Sequence, residues 1–154
     1  MSSIRRHVHI AAPSRAVWNA VTTGEGLSSW WVDSARVDGR QGGRLVLQWT
    51  DDDGKEVEAW GMFHELRPTA QAEVLFDRVG SSPLRGCRLA FQVARDGAET
   101  RLSVLLADGE ALNDPAQREA LDAGWRRDLK ALQDLLDAPA AAPSPASPAA
   151  PRRS

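Results

Sequence analysis

NDPAQREALDAGWRRDLKALQDLLD, residues 113–137, carries a recurring set of large apolar side chains at Leu121, Trp125, Leu129, Leu132 and Leu136. Spacings of four, four, three and four place them on one face of a helix of about four turns, since residues three and four apart lie one above another. Asn113 or Asp114 supplies an N-cap oxygen, Pro115 occupies the first turn where its missing N–H is not needed, and Glu119 follows. Such a stripe needs a surface to lie on. Gly124 sits inside the helix, where glycine costs about 1 kcal/mol against alanine, so the sequence predicts a close approach to the backbone there.

The preceding hundred residues read as that surface. Ile4, Val8 and Ile10 alternate with Arg5, His7 and His9, the period of a half-buried strand. Ala12-Pro13-Ser14 starts a short helix bearing Val17, Trp18 and Val21, with Ser14 or Pro13 at its first turn, and Glu25 to Trp31 forms a second brief helix. From Arg36 strands and turns take over: Leu45, Leu47 and Trp49 share a face, Asp51-Asp52-Asp53-Gly54 reverses the chain, and Trp60 to Leu66 returns until Pro68. Val74 and Phe76, then Cys87, Leu89, Phe91 and Val93, then Leu102, Val104 and Leu106 give further alternating runs, the last two joined at Asp96-Gly97. The expected class is α+β: a curved antiparallel sheet of six to seven strands around a long C-terminal helix, with two short helices after strand one.

Composition narrows the function. At 154 residues, 42% hydrophobic and 26% charged, the chain has room for one domain, placed at residues 1–137. Residues 138–154, APAAAPSPASPAAPRRS, hold five of the nine prolines and no large apolar side chain, so a disordered Pro/Ala/Ser-rich tail is expected. The net charge of −2 includes the tail's Arg152 and Arg153, so the domain is more acidic still and offers nothing to nucleic acid. No apolar run reaches the length of a membrane span, and MSSIRRHVHI lacks the apolar segment of a secretion signal. A single cysteine, Cys87, excludes an internal disulfide and the cysteine-rich zinc motifs, and a cytoplasmic location is expected.

The order of elements resembles the helix-grip fold of the START and birch-pollen-allergen (SRPBCC) superfamily. More closely, Ala12-Pro13 with Val17-Trp18, Leu27 with Trp30-Trp31, Gly42-Gly43-Arg44, Asp53-Gly54, Gly61 with Glu65-Leu66 and Pro68, and Gly124-Trp125 with Leu129 and Leu132 look like the bacterial proteins related to the C-terminal domain of the heat-shock protein 90 ATPase activator. The resemblance covers residues 4 to 137. It implies a mostly apolar cavity between sheet and helix, in a family of mainly binding proteins with a minority of cyclases and self-sacrificing proteins, and it brings a link to stress response.

Candidate ligand-binding residues follow from large side chains on inward faces. Trp49, Trp60 and Trp125 form an expected aromatic wall, with ordinary core packing as the competing reading, and Phe76 and Phe91 join them from later strands. Trp30 and Trp31 are adjacent on a short helix and cannot both point inward, so one of them meets the cavity mouth or solvent. His64 alternates with Trp60 and Met62 and is expected to point inward as a polar handle or general base. His7 and His9 share a strand face, but nothing completes a metal set, and Asp51 to Gly54 is a turn and not a calcium loop. Gly39 to Arg44 lacks the lysine and hydroxyl of a phosphate loop, and Cys87 is an inert inward thiol.

The expectation is therefore a non-enzymatic binding protein, without metal or cofactor, for a small apolar or aromatic molecule. A cyclase or hydrolase-like enzyme using His64 with Glu58 or Glu65 is the first alternative. The second is an interaction module of co-chaperone type anchored by Trp30 or Trp31, with homodimerisation left open.

Overall fold

Alternation of apolar and polar residues builds seven strands in the computed structural model, which describes residues 3–79 and 81–141. Ser3–Ile10 (β1) is followed by helices Ser14–Thr22 (α1) and Gly24–Trp30 (α2). Then come Ser34–Val37 (β2), Arg44–Thr50 (β3), Glu56–Arg67 (β4), Gln71–Phe76 (β5), Arg88–Asp96 (β6) and Glu99–Ala107 (β7). A 3-10 turn at Glu110–Asn113 leads into Pro115–Ala141 (α3). The strands form one antiparallel sheet in the order β1-β7-β6-β5-β4-β3-β2, so α1 and α2 carry the chain between its two edges. This is the helix-grip architecture expected from the order of elements.

Some local expectations change. Pro13 is the N-cap of α1, and Ser14 instead places its hydroxyl 3.3 Å from that of Thr100. At the start of α3 it is Asp114 that caps, accepting the Ala116 N–H at 3.2 Å. The four-residue strand β2 and the 3-10 turn carry no sequence signal strong enough to have been assigned. Helix α3 continues four residues past the expected boundary at Asp137, and the rest of the proposed tail lies outside the described residues.

Strand β4 holds the main correction. Its buried residues are Val57, Ala59 and Phe63, with Gly61 among them, so Trp60, Met62 and His64 point to the outer face of the sheet. The register with β5 shifts between Phe63 and Glu65, making His64 the extra residue of a β-bulge. Leu66, beyond the bulge, packs on the core although it has the same parity as the outward Trp60. Small inward residues are required here because Phe76 fills the space: a Cβ on Gly61 would lie 3.1 Å from the Phe76 Cδ1 and 2.9 Å from the Val74 Cγ1.

Helix α3 buries Trp125, Leu129 and Leu132 against the sheet's inner face. It is fastened along a single flank, to β1 and the residue after it. Arg6 makes a paired contact with Asp122 at 2.9 and 2.8 Å, a fork geometry that favours both hydrogen bonds. Arg118 donates to the Ser3 carbonyl and Gln133 to the His9 carbonyl, each at 2.8 Å, and the Ala11 N–H donates to Asp137 at 2.7 Å. The opposite flank faces the β3–β4 hairpin across open space.

Candidate ligand cleft

That open flank is a cleft of about 550 Å³, within the range of roughly 300–1,000 Å³ usual for small-molecule sites. The first half of α3 supplies Leu121, Gly124, Trp125 and Asp128. Trp49 and the Asp51–Asp53 turn close it from the hairpin, and Trp31, just after α2, forms its inner wall. Trp31 and Trp125 lie with ring centroids 4.9 Å apart at 34°. Behind them stand Trp30, stacked on Trp31 at 5.8 Å, and Phe91, 6.2 Å from Trp125 and edge-on. Trp30 spends its N–H on the Ala20 carbonyl at 2.8 Å, which satisfies the polar end of a buried indole and fixes the wall in place.

The polar groups are unevenly distributed. Asp51 is committed to the turn, its Oδ1 accepting the Asp53 and Lys55 N–H groups at 2.9 Å each, while Gly54 adopts φ +80° to complete the reversal. Asp128 is the buried member: only 18% of its side chain is exposed, and that burial pushes its carboxyl above the usual carboxylate range, with Arg127 acting in the opposite direction. The Arg127 Nε lies 3.3 Å from Asp128 Oδ1.

Of the residues expected to bind ligand, Trp31, Trp49 and Trp125 come together around this cleft. Trp30 and Phe91 are buried behind it, and Phe76, the last residue of β5, is buried in the core. Trp60, 42% exposed, and His64 are corrected to the outer face, because the inward phase of β4 belongs to its small residues. His64 Nε2 lies 4.0 Å from Glu73 Oε1, so it cannot serve as a base in the cleft. Gly124 is also corrected: the only atom near its would-be Cβ is the Arg127 Nη2 at 3.8 Å, so this glycine opens the cleft and admits no close neighbour. Leu121, expected only as part of the apolar stripe, and Asp128 also line the cleft; seven residues apart, they share the helix face that holds Trp125.

Other candidates stay outside the site. His7 and His9 are edge-on at 5.7 Å, His9 Nε2 is 3.0 Å from Asp96 Oδ2, and no group of three or more potential metal ligands occurs among the described residues. Cys87 is buried and its thiol is pushed up to about 11, chiefly by desolvation, so little thiolate exists near neutrality. No helix among the described residues is long and apolar enough to cross a membrane.

A sheet closed by one long helix, with a hollow left along the helix's free flank, defines the helix-grip class of proteins. The family model described as Activator of Hsp90 ATPase homolog 1-like protein matches residues 11–137, and the chain belongs to that family. No curated protein matches the sequence significantly. Among solved structures, a protein of Nitrosomonas europaea is 20% identical with a TM-score of 0.75, covering 92% of this chain and 97% of its own. A protein of Chromobacterium violaceum is 21% identical with a TM-score of 0.73, covering 89% and 99%. The Aha1 dimer of Colwellia psychrerythraea is 20% identical with a TM-score of 0.68, covering 89% and 97%. At such identities the likeness establishes the fold.

Proposed function

We propose that the protein is a receptor for a small apolar or aromatic molecule held between Trp49 on the hairpin and Trp31 and Trp125 on the helical side. The observation that carries this reading is the cleft itself, whose volume suits a small organic molecule and whose wall is built from indoles locked by neighbouring rings. An aromatic contact adds roughly 0.5–1.5 kcal/mol beyond area burial, so a flat guest between opposed indoles is favoured over an aliphatic one of equal size. The test is titration with Nile red and a panel of neutral aromatic compounds, following tryptophan emission and melting temperature. Binding that shifts emission, raises the melting temperature and weakens in Trp31→Ala is the expected result; an unchanged spectrum and melting temperature across the panel would overturn it.

A second reading concerns assembly. Trp60 projects from the outer face with the partly exposed Met62 beside it in β4 and Leu75 paired to Met62 in β5, and the Colwellia relative is described as a dimer. A second copy of this chain fits that apolar face. Sedimentation over a dilution series should then show a dimer that Trp60→Glu abolishes; a monomer at all concentrations refutes it.

A further inference from the structure

The charges around the cleft point to what kind of molecule it selects. Asp51, Asp52, Asp53 and Asp128 line it, against Arg127 alone. The guanidinium of Arg127 is 69% exposed and therefore screened by water, whereas the carboxylate it faces is largely covered. The acidic character continues around Trp49: Asp33, Glu56 and Glu58 border a smaller hollow that shares this indole. The other nearby cations are not part of the lining. Lys55 follows in the turn, and Arg78 and Arg85 belong to a separate hollow beyond Pro83 and Gln117, where Glu110 also lies.

Indole faces are electron-rich and attract weakly hydrated cations, with tryptophan the strongest of the aromatic side chains. An acidic, partly desolvated cleft concentrates positive ligands by focusing the field of its carboxylates. Both features occur in the same cleft, with Trp31, Trp49 and Trp125 as the walls and Asp128 beside them in the lining. A neutral apolar guest would explain the indoles but leave the net negative charge of the lining, four aspartates against one arginine, without a partner, and an anionic guest would be repelled by it. We infer that the cleft selects organic cations: amines or quaternary ammonium compounds carried on an apolar or aromatic body. This rests on the receptor reading of the cleft and adds the charge of the guest.

The experiment compares three small aromatic probes of different charge: benzyltrimethylammonium, its neutral carbon isostere neopentylbenzene, and the anion benzenesulfonate. Tryptophan emission titrations on the full chain should give affinity for the cation at least about tenfold tighter than for the neutral isostere, with the anion weakest. Asp128→Asn and Asp52→Asn should each weaken the cation severalfold and leave neopentylbenzene unchanged, while Asp134→Asn, on α3 and paired with Lys130 away from the cleft, should change neither. Raising salt from about 50 mM to about 500 mM should weaken the cation selectively in the unaltered protein, a readout that does not depend on any variant folding. Equal affinity for the cation and the neutral isostere overturns cation selection and leaves the receptor reading standing. Failure of the cation to bind, or tighter binding of benzenesulfonate, overturns it as well, and silence towards Nile red and the neutral panel too would remove the receptor reading with it.

Discussion

Replacing Gly124 separates the stability of α3 from the use of its free flank. The residue lies inside a helix, where alanine is favoured over glycine by about 1 kcal/mol through backbone entropy. Nothing in the structure opposes the change, because an added Cβ meets only the mobile end of Arg127, at 3.8 Å, an ordinary van der Waals distance. Gly124→Ala should therefore raise stability by up to about 1 kcal/mol, or roughly 4 °C in Tm for a domain of this size, measured by urea titration and by calorimetry. Gly124→Leu should keep most of that helical gain while its side chain enters the cleft between Trp125 and the hairpin. It should abolish Nile red binding without lowering Tm. The reasoning is refuted if Gly124→Ala destabilises the fold, which would mean that the backbone is closely packed after all, or if Gly124→Leu binds the dye as tightly as the unaltered protein does.

Four other substitutions or probes test separate features. Trp125→Ala removes a 3% exposed indole in contact with Trp31, Phe91 and Trp30, and should cost about 3–5 kcal/mol in urea unfolding. Asp122 is held below the usual carboxylate range by its hydrogen bonds from Arg6, so its stabilisation is full above the unfolded carboxylate range and is lost as pH falls through the lower folded value; Asp122→Asn should flatten that acid limb of a Tm-against-pH curve. Asp128 runs the other way: its raised carboxyl destabilises the fold at neutral pH and is relieved by protonation, so Asp128→Asn should raise Tm at pH 7, with the gain shrinking as pH falls. Cys87, buried and with its thiol near 11, should react with a thiol-specific disulfide reagent only on the timescale of unfolding, and rapid native labelling would contradict its placement.

The helix and most strands were legible because their apolar residues recur at the period of the element that buries them. Leu121, Trp125, Leu129, Leu132 and Leu136 give the α3 stripe directly, and Leu102, Val104 and Leu106 give the inward face of β7. Strand β4 misled for a definite physical reason. Phase was taken from its largest side chains, Trp60 and Met62, whereas the inward face had to be small at Ala59 and Gly61 to accommodate Phe76 from the neighbouring strand. The bulge at His64 also reverses the phase beyond it, so that Leu66 packs on the core although Trp60 and Met62 do not. The aromatic part of the cleft could be anticipated because indoles announce themselves in a sequence. Asp128 could not, since its importance arises from how far its own side chain is covered in the cleft it lines with Trp31 and Trp49, and a charged residue at the shoulder of a stripe usually ends in solvent.

The attachment of α3 to β1 through Arg118, Asp122, Gln133 and Asp137 leaves Leu121, Gly124 and Asp128 with no part in that clamp. Residues that anchor the rod and residues that line the cleft are thus different positions interleaved along the same helix. Evolution, or a designer, can rewrite the second group while the first preserves the scaffold, so chemical repertoire can diversify without a matching loss of architecture.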